Sequence, residues 1–125
     1  MQNKKTEFSF EDFISSYPPE VSEKAILTRE LILKTFPQVE EEVDQSAKIV
    51  GYLLGKGYKN TLCTIIPSQQ GLKLGFYRGS EIVDPEQVLI GSGSVHRHAI
   101  IKDFFAQRMY LVYLLQEAFK MWKIR

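Results

Sequence analysis

The chain has 125 residues, the size of one ordinary domain, and we predict a single domain over residues 1–125. A hydrophobic content of 44% with eight phenylalanines predicts a packed core rather than a disordered chain. The net charge of +1 combines an acidic first 47 residues with a basic remainder, which we interpret as ordinary surface charge. The polar start and the lack of any apolar run near ~20 residues predict no signal peptide and no membrane partner. The single cysteine, Cys63, has no disulfide partner in the chain, which favours a cytoplasmic location.

Two helices are predicted near the N-terminus. Ser9 and Asp12 have the spacing of a capping box, which predicts a short helix from about Phe10 to Ser16. Two prolines end it, and the second suits the first turn of a longer helix that runs from Pro19 to about Thr35. The inward face of this longer helix is predicted to carry Ala25, Thr28, Leu31, Ile32 and Phe36.

The middle of the chain changes to the two-residue period of strands. We predict strands at about 40–44, 48–54, 61–66, 72–77 and 95–102, separated by turns rich in glycine, proline and serine. In the fourth of these, Leu72, Leu74 and Phe76 point to one face of the sheet. Lys73 and Tyr77 point to the other face.

Asp103 is predicted to cap a final helix from about Phe104 to Lys123. An apolar line along this helix, which we expect to be core rather than a cofactor site, contains Phe105, Met109, Val112, Leu115, Phe119 and Trp122. Leu111, Leu114 and Ala118 are predicted to widen this line. Together the elements predict an α+β fold, a two-layer sandwich in which the N- and C-terminal helices pack on one face of an antiparallel sheet.

Several short motifs between Leu72 and Lys102 occur in a recognisable order. They are Leu74-Gly75-Phe76-Tyr77-Arg78-Gly79, Asp84-Pro85, Leu89-Ile90-Gly91-Ser92-Gly93 and Arg97-His98-Ala99-Ile100-Ile101. With the N-terminal helix that ends in Phe36-Pro37 and the closing helix, they resemble the YdhG-like family of uncharacterised bacterial domains over nearly the whole chain. The resemblance implies a frataxin-like sandwich, and some frataxin-like proteins are iron chaperones.

An acidic ridge is where the resemblance implies that iron binds. The comparable elements here carry Glu20, Glu23 and Glu30 on the long N-terminal helix and Glu40, Glu41, Glu42 and Asp44 after it. The chain departs from the frataxin pattern because Lys24, Arg29 and Lys34 interrupt the ridge. It also has Gln45-Ser46-Ala47-Lys48 where members of the family often carry a segment with tyrosine and glycine.

Metal ligation has two candidate groups in the sequence. Glu40, Glu42 and Asp44 offer hard oxygen ligands for iron or another divalent ion, with ~6–7 Å between alternate residues of a strand. The alternative, which we favour, is a charged edge strand that discourages aggregation. His96 and His98 share one strand face and can hold a transition metal with Glu81 or Asp84. The favoured alternative places His98 half-buried within the fold and His96 on the surface.

The sheet face that the helices leave uncovered is a further candidate site, for a small molecule or an anion. The residues predicted to line it are Lys73, Tyr77, Arg78, Arg97 and His98. Nucleic acid is not an expected partner, because Phe76 alternates into the core and leaves only Tyr77 of that strand outside for stacking.

Catalysis is not predicted. No nucleophile has a neighbouring base and orienting acid that the sequence selects, and the apolar strand around Cys63 is expected to raise the pKa of its thiol. The first hypothesis is therefore a binding domain that handles iron or another divalent metal. The second is a small-molecule or anion-binding module that uses the open sheet face, and the third is a homodimer formed through that face or a sheet edge.

Overall fold

Helices lie at both ends of the chain, and five strands lie between them. The computed structural model describes residues 8–124. Its elements are α1 (Phe10–Ile14), α2 (Pro19–Thr35), β1 (Glu40–Asp44), β2 (Ile49–Leu53), β3 (Thr61–Pro67), β4 (Leu72–Phe76), β5 (Arg97–Ile101) and α3 (Phe104–Lys123). Single 3-10 turns occur at Tyr58–Asn60 and Gly79–Glu81. The predicted α2 and α3 agree with the structure, while α1 ends two residues earlier and β5 is shorter than predicted.

The five strands form one antiparallel sheet in the order β1-β2-β3-β4-β5. The helices α2 and α3 contact each other, and both contact the central strand β3. The prediction of an α+β architecture with helices before and after an antiparallel sheet is confirmed, and the arrangement is consistent with a two-layer sandwich. Across residues 8–124, none of the helices combines the length and hydrophobicity needed to cross a bilayer.

Side chains at the helix starts satisfy backbone groups that would otherwise lack partners. The Ser9 hydroxyl accepts from the Asp12 amide at 3.0 Å, and the Ser9 amide donates to the Asp12 carboxylate at 3.4 Å, which confirms the capping box. Pro19 occupies the first turn of α2. The Asp103 carboxylate accepts from the Ala106 amide at 3.3 Å and so caps α3.

The core lies between the two long helices and one face of the sheet. Alternate residues of β4 supply it as predicted, since Leu72, Leu74 and Phe76 are buried while Lys73 is exposed. The same face of β2 and β3 contributes Val50, Tyr52, Cys63 and Ile65. The opposite face of the sheet is not packed against α2 or α3, and we call it the open face.

The predicted inward line of α3 is wrong at its N-terminal end. Phe105 and Met109 are 65% and 79% exposed, whereas Phe104, which lies outside the predicted line, is buried. Leu111 and Leu114, predicted to widen the line, are buried as expected. The buried stripe is rotated by about one residue, because the chain leaves β5 at Ile101 and its first helical turn directs Phe104 rather than Phe105 into the core.

One ion pair joins α2 to β1, the strand that carries Glu40, Glu41, Glu42 and Asp44. The Arg29 guanidinium donates to both carboxylate oxygens of Glu41, at 2.6 and 3.0 Å, and the buried Tyr52 hydroxyl donates to the same carboxylate at 2.7 Å. The Arg29 guanidinium also lies 4.8 Å from the ring centroid of Phe10 in α1. This contact fixes β1, β2 and both N-terminal helices relative to one another.

Candidate functional site

The open face carries a row of directly paired residues that runs across all five strands. Glu42 pairs with Gly51, Gly51 with Thr64, Thr64 with Gly75, and Gly75 with His98. A Cβ atom on Gly75 would lie 2.8 Å from the Thr64 hydroxyl, so only glycine leaves that hydroxyl its present position. The two glycines flank Thr64 and lower the surface on both sides of it.

A cavity of about 280 Å³ lies on this face where β3, β4 and β5 meet the Tyr58 turn. Its lining residues come from four segments of the chain and include Ile49, Tyr58, Thr61, Thr64, Ile66, Gly75, Tyr77, His96, Arg97 and His98. The volume is near the lower limit of small-molecule sites in proteins.

Three rings form one wall of the cavity. The centroid of the Tyr77 ring lies 6.0 Å from that of the Tyr58 ring, and the two rings meet edge-on. The same centroid lies 5.3 Å from that of the His96 imidazole, and this pair is tilted. Tyr58 is 70% exposed, and His96 is exposed as well. Within residues 8–124 the side chains of Tyr58, Tyr77, His96 and His98 make no hydrogen bond. The wall therefore presents aromatic surface with unused polar atoms to solvent.

His98 and Lys73 give one corner of the open face a basic character. Burial lowers the pKa of the half-buried His98 imidazole, and the neighbouring Lys73 ammonium lowers the same pKa further. The imidazole is therefore largely neutral at pH 7 and can donate or accept a hydrogen bond. Lys73 is exposed and provides the positive charge at this corner.

The two arginines predicted for this face are held elsewhere. The Arg78 guanidinium donates to both carboxylate oxygens of Glu81, at 3.1 and 2.6 Å, and to the Met121 carbonyl of α3 at 3.2 Å. Its backbone has a φ of 68° and leads into the 3-10 turn Gly79–Glu81, so Arg78 lies beyond the end of β4. The Arg97 guanidinium donates to the carbonyls of Gly93 and His96 and so fixes the preceding loop, although Arg97 still borders the cavity.

The acidic strand divides into a structural residue and three outward-facing ones. Glu41 faces α2 in the ion pair with Arg29, whereas Glu40, Glu42 and Asp44 are exposed on the open face. The Asp44 carboxylate accepts from the Ser46 hydroxyl and the Ala47 amide, both at 3.0 Å. These hydrogen bonds, led by that of the Ala47 amide, lower the pKa of Asp44.

The predicted metal ligands are not gathered into one cluster. Among the described residues no group of three or more His, Cys, Asp or Glu side chains could hold a metal ion. The carboxylates considered as partners for His96 and His98 are engaged elsewhere, since Glu81 pairs with Arg78 and Asp84 accepts the Tyr110 hydroxyl at 2.6 Å. Metal binding by the separate groups stays a prediction.

The C-terminal turn of α3 braces both segments that carry the tyrosines of the cavity. The Trp122 indole donates to the Asn60 side chain at 3.0 Å, two residues after Tyr58. The Met121 carbonyl accepts from Arg78, the residue after Tyr77. These two hydrogen bonds hold the segments that carry Tyr58 and Tyr77 against the same end of α3.

Sequence reasoning missed Tyr58. The glycines Gly55 and Gly57 mark the turn between β2 and β3 in the sequence, but they do not point to Tyr58 as a site residue. The signal for Tyr58 in the sequence is an aromatic residue between Gly57 and Lys59, in a segment expected to be an exposed turn. An aromatic side chain in such a turn usually has a packing partner or a ligand. The side chain of Cys63 points from β3 into the core, where burial raises the pKa of its thiol as predicted.

Comparisons of the chain with protein-family models, with curated proteins and with solved structures find no match. The site is therefore defined by its own geometry. It is an aromatic cavity on the open face of an α+β domain, and Lys73, which does not line the cavity, provides a positive charge next to His98 at its rim.

Proposed function

We propose that this chain is a non-enzymatic binding domain that holds a small aromatic acid in the cavity of the open face. The observation that carries the proposal is the ring wall of Tyr58, Tyr77 and His96, whose polar atoms make no hydrogen bond within residues 8–124. Polar and aromatic groups gathered around one concave surface are typical of ligand sites.

The aromatic part of the ligand is matched by the ring wall and the cavity floor. A planar ring seated over Gly75 and Thr64 contacts the Tyr77 ring, and such aromatic pairs contribute about 0.5–1.5 kcal/mol beyond burial. The glycine at position 75 allows close approach to the sheet, while the Thr64 and Tyr77 hydroxyls remain available to polar substituents.

The acidic part of the ligand is matched by the basic corner. A carboxylate beside Lys73 and His98 gains an ammonium partner and an imidazole N–H donor. Because the pair is exposed on one side, its contribution is of the order of 1 kcal/mol and falls with salt concentration.

The test is a calorimetric titration with two probes, 2-naphthoate and the uncharged 2-naphthylmethanol. We expect Tyr77→Leu to weaken both probes about five- to tenfold, and Lys73→Gln to weaken only 2-naphthoate. The matched control is Phe105→Leu, which removes a 65% exposed ring outside the cavity and is expected to change neither affinity. Equal affinities for the wild type and Tyr77→Leu would refute the proposal, as would a dimer in light scattering whose interface covers Tyr77.

The metal hypothesis has less support on the described residues, because its carboxylates and imidazoles are dispersed and partly engaged. Iron handling, the frataxin-like relationship and a homodimer through the open face stay predictions. We place the aromatic-acid binder in the cytoplasm, in keeping with the buried unpaired thiol of Cys63.

A further inference from the structure

A second cavity, of about 580 Å³, continues the first toward β1. It is bounded by β1, β2 and the turn that joins them, and its lining residues include Glu42, Asp44, Ser46, Gly51, Leu53, Tyr58, Thr61 and Thr64. Four residues line both cavities, namely Ile49, Tyr58, Thr61 and Thr64. The two cavities are therefore one groove that crosses the strands.

The ends of the groove carry opposite charge. At the β1 end the Glu42 carboxylate is exposed and has neither an ion pair nor a hydrogen bond among the residues that the structure describes. Its neighbour Asp44 is held by Ser46 and Ala47 in the turn, which leaves Glu42 as the available anion. At the far end His98 lines the aromatic cavity, and the ammonium of the exposed Lys73 lies beside His98 at the rim without lining the cavity. A ligand that matches both ends needs a cation and an anion.

The pairing register sets the distance between these ends. Glu42, Gly51, Thr64 and Gly75 are consecutive partners across four strands, so three strand spacings of ~4.8 Å place Glu42 ~14 Å from the centre of the aromatic cavity. The backbone of an extended tripeptide spans ~10 Å of this distance. The Glu42 side chain at one end and the peptide's C-terminal aromatic side chain at the other span the rest.

We propose that the ligand is a short peptide with a free amino terminus and a C-terminal aromatic residue. This inference rests on the proposed function and adds a second subsite to it. The aromatic side chain occupies the ring-walled cavity, the terminal carboxylate lies beside Lys73 and His98, and the terminal ammonium binds Glu42. Thr61 and Thr64, which line both cavities, face the peptide backbone with hydroxyls that make no hydrogen bond within residues 8–124.

Glu40 separates this explanation from a general role of charge on an edge strand. It lies on the same strand and the same face as Glu42 and is also exposed, but it lines neither cavity. Charge that only prevents aggregation makes the two residues equivalent, whereas a peptide subsite makes them different.

The experiment compares Gly-Gly-Trp with its N-acetylated form by calorimetry at low salt. We expect the wild type to bind the free amine about fivefold more tightly than the acetylated peptide, and Glu42→Gln to abolish this ratio. Glu40→Gln is expected to keep the ratio at its wild-type value. Thermal melting of both variants checks that the fold is unchanged.

Two failures are distinguishable. If both peptides bind equally to the wild type and lose affinity in Tyr77→Leu, the subsite at Glu42 is refuted and the aromatic cavity stands. If neither peptide binds and 2-naphthoate also fails to bind, the proposed function is itself refuted. An equal loss of the ratio in Glu40→Gln and Glu42→Gln would also overturn the inference, since it would reflect diffuse charge rather than a site.

Discussion

Replacing Glu41 by glutamine removes one charge from the contact that joins α2 to β1 and keeps the size of the side chain. In the wild type the Glu41 carboxylate accepts two hydrogen bonds from Arg29, the shorter at 2.6 Å, and one from Tyr52 at 2.7 Å. The glutamine carbonyl oxygen can still accept from the tyrosine. Its NH₂ group instead faces a guanidinium donor, so the arginine loses a charged partner.

The expected loss lies between that of a surface pair and that of a buried one. The Arg29 and Glu41 side chains are 29% and 20% exposed, so part of the arginine charge can be solvated by water after the substitution. Exposed pairs contribute up to about 1 kcal/mol, and breaking a buried pair costs about 3–5 kcal/mol. We therefore expect Glu41→Gln to lower the free energy of unfolding by about 2 kcal/mol and the melting temperature by about 8 °C.

The assay is urea denaturation with Glu42→Gln as the matched control. Glu42 is the next residue on the strand, points to the open face and has no ion pair within the described part of the chain, so its substitution is expected to change stability by less than about 0.5 kcal/mol. Equal losses in the two variants would refute the division of β1 into a structural and a solvent-facing side.

Three further predictions concern the helices. The fully buried Thr28 hydroxyl has no hydrogen-bond partner among residues 8–124, so Thr28→Val is expected to raise the free energy of unfolding by about 1 kcal/mol. A comparable loss in urea denaturation would instead reveal a hydrogen bond of this hydroxyl. Tyr110→Phe is expected to cost about 1 kcal/mol at pH 7, because its hydroxyl donates to Asp84 and also accepts from the Glu86 amide. Burial opposes ionisation of Asp84, but the hydrogen bonds from Tyr110 and from backbone amides outweigh it and lower the carboxyl pKa. The stabilisation from a lowered carboxyl pKa is present above the unfolded pKa of about 3.9 and disappears as pH falls through the lower folded value. The melting temperatures of the wild type and Tyr110→Phe should therefore begin to approach each other near pH 4 and come closer as the pH falls further. A constant difference between them down to pH 2 would contradict this assignment. Met109→Gln is expected to change the urea midpoint negligibly, since the side chain is 79% exposed. A loss of unfolding free energy above about 2 kcal/mol would instead show that Met109 is part of the core.

The sequence patterns predicted most of the fold because local signals and burial agree in this chain. Three local signals each favour a single local structure. They are the prolines after α1, the capping aspartate of α3 and the alternation of Leu72, Leu74 and Phe76. The inner face of α3 was harder to predict, because its apolar residues cover more than one stripe and periodicity does not distinguish Phe104 from Phe105. The orientation of the first turn relative to β5 decides that point, and orientation is a tertiary property.

The candidate site was predictable only in part. Strand alternation placed Tyr77 and His98 on the open face, and the structure brings both into one cavity. Arg78 was also predicted to line this face, although it is in phase with Leu74 and Phe76 on the core side of the strand. Its contacts with Glu81 and α3 hold its guanidinium away from the cavity. Tyr58 lies on a turn, so no periodicity specifies its direction, and only the strand order brings it beside β4.

The most direct test of the binding claim is a ¹H–¹⁵N NMR titration of the full chain with 2-naphthoate. The account predicts that the amides of Thr64, Gly75, Tyr77 and His98 shift progressively and saturably, while those of Met109 and Phe105 stay in place. Shifts that cluster on the exposed side of α3, or no saturable shift at the cavity, would contradict it.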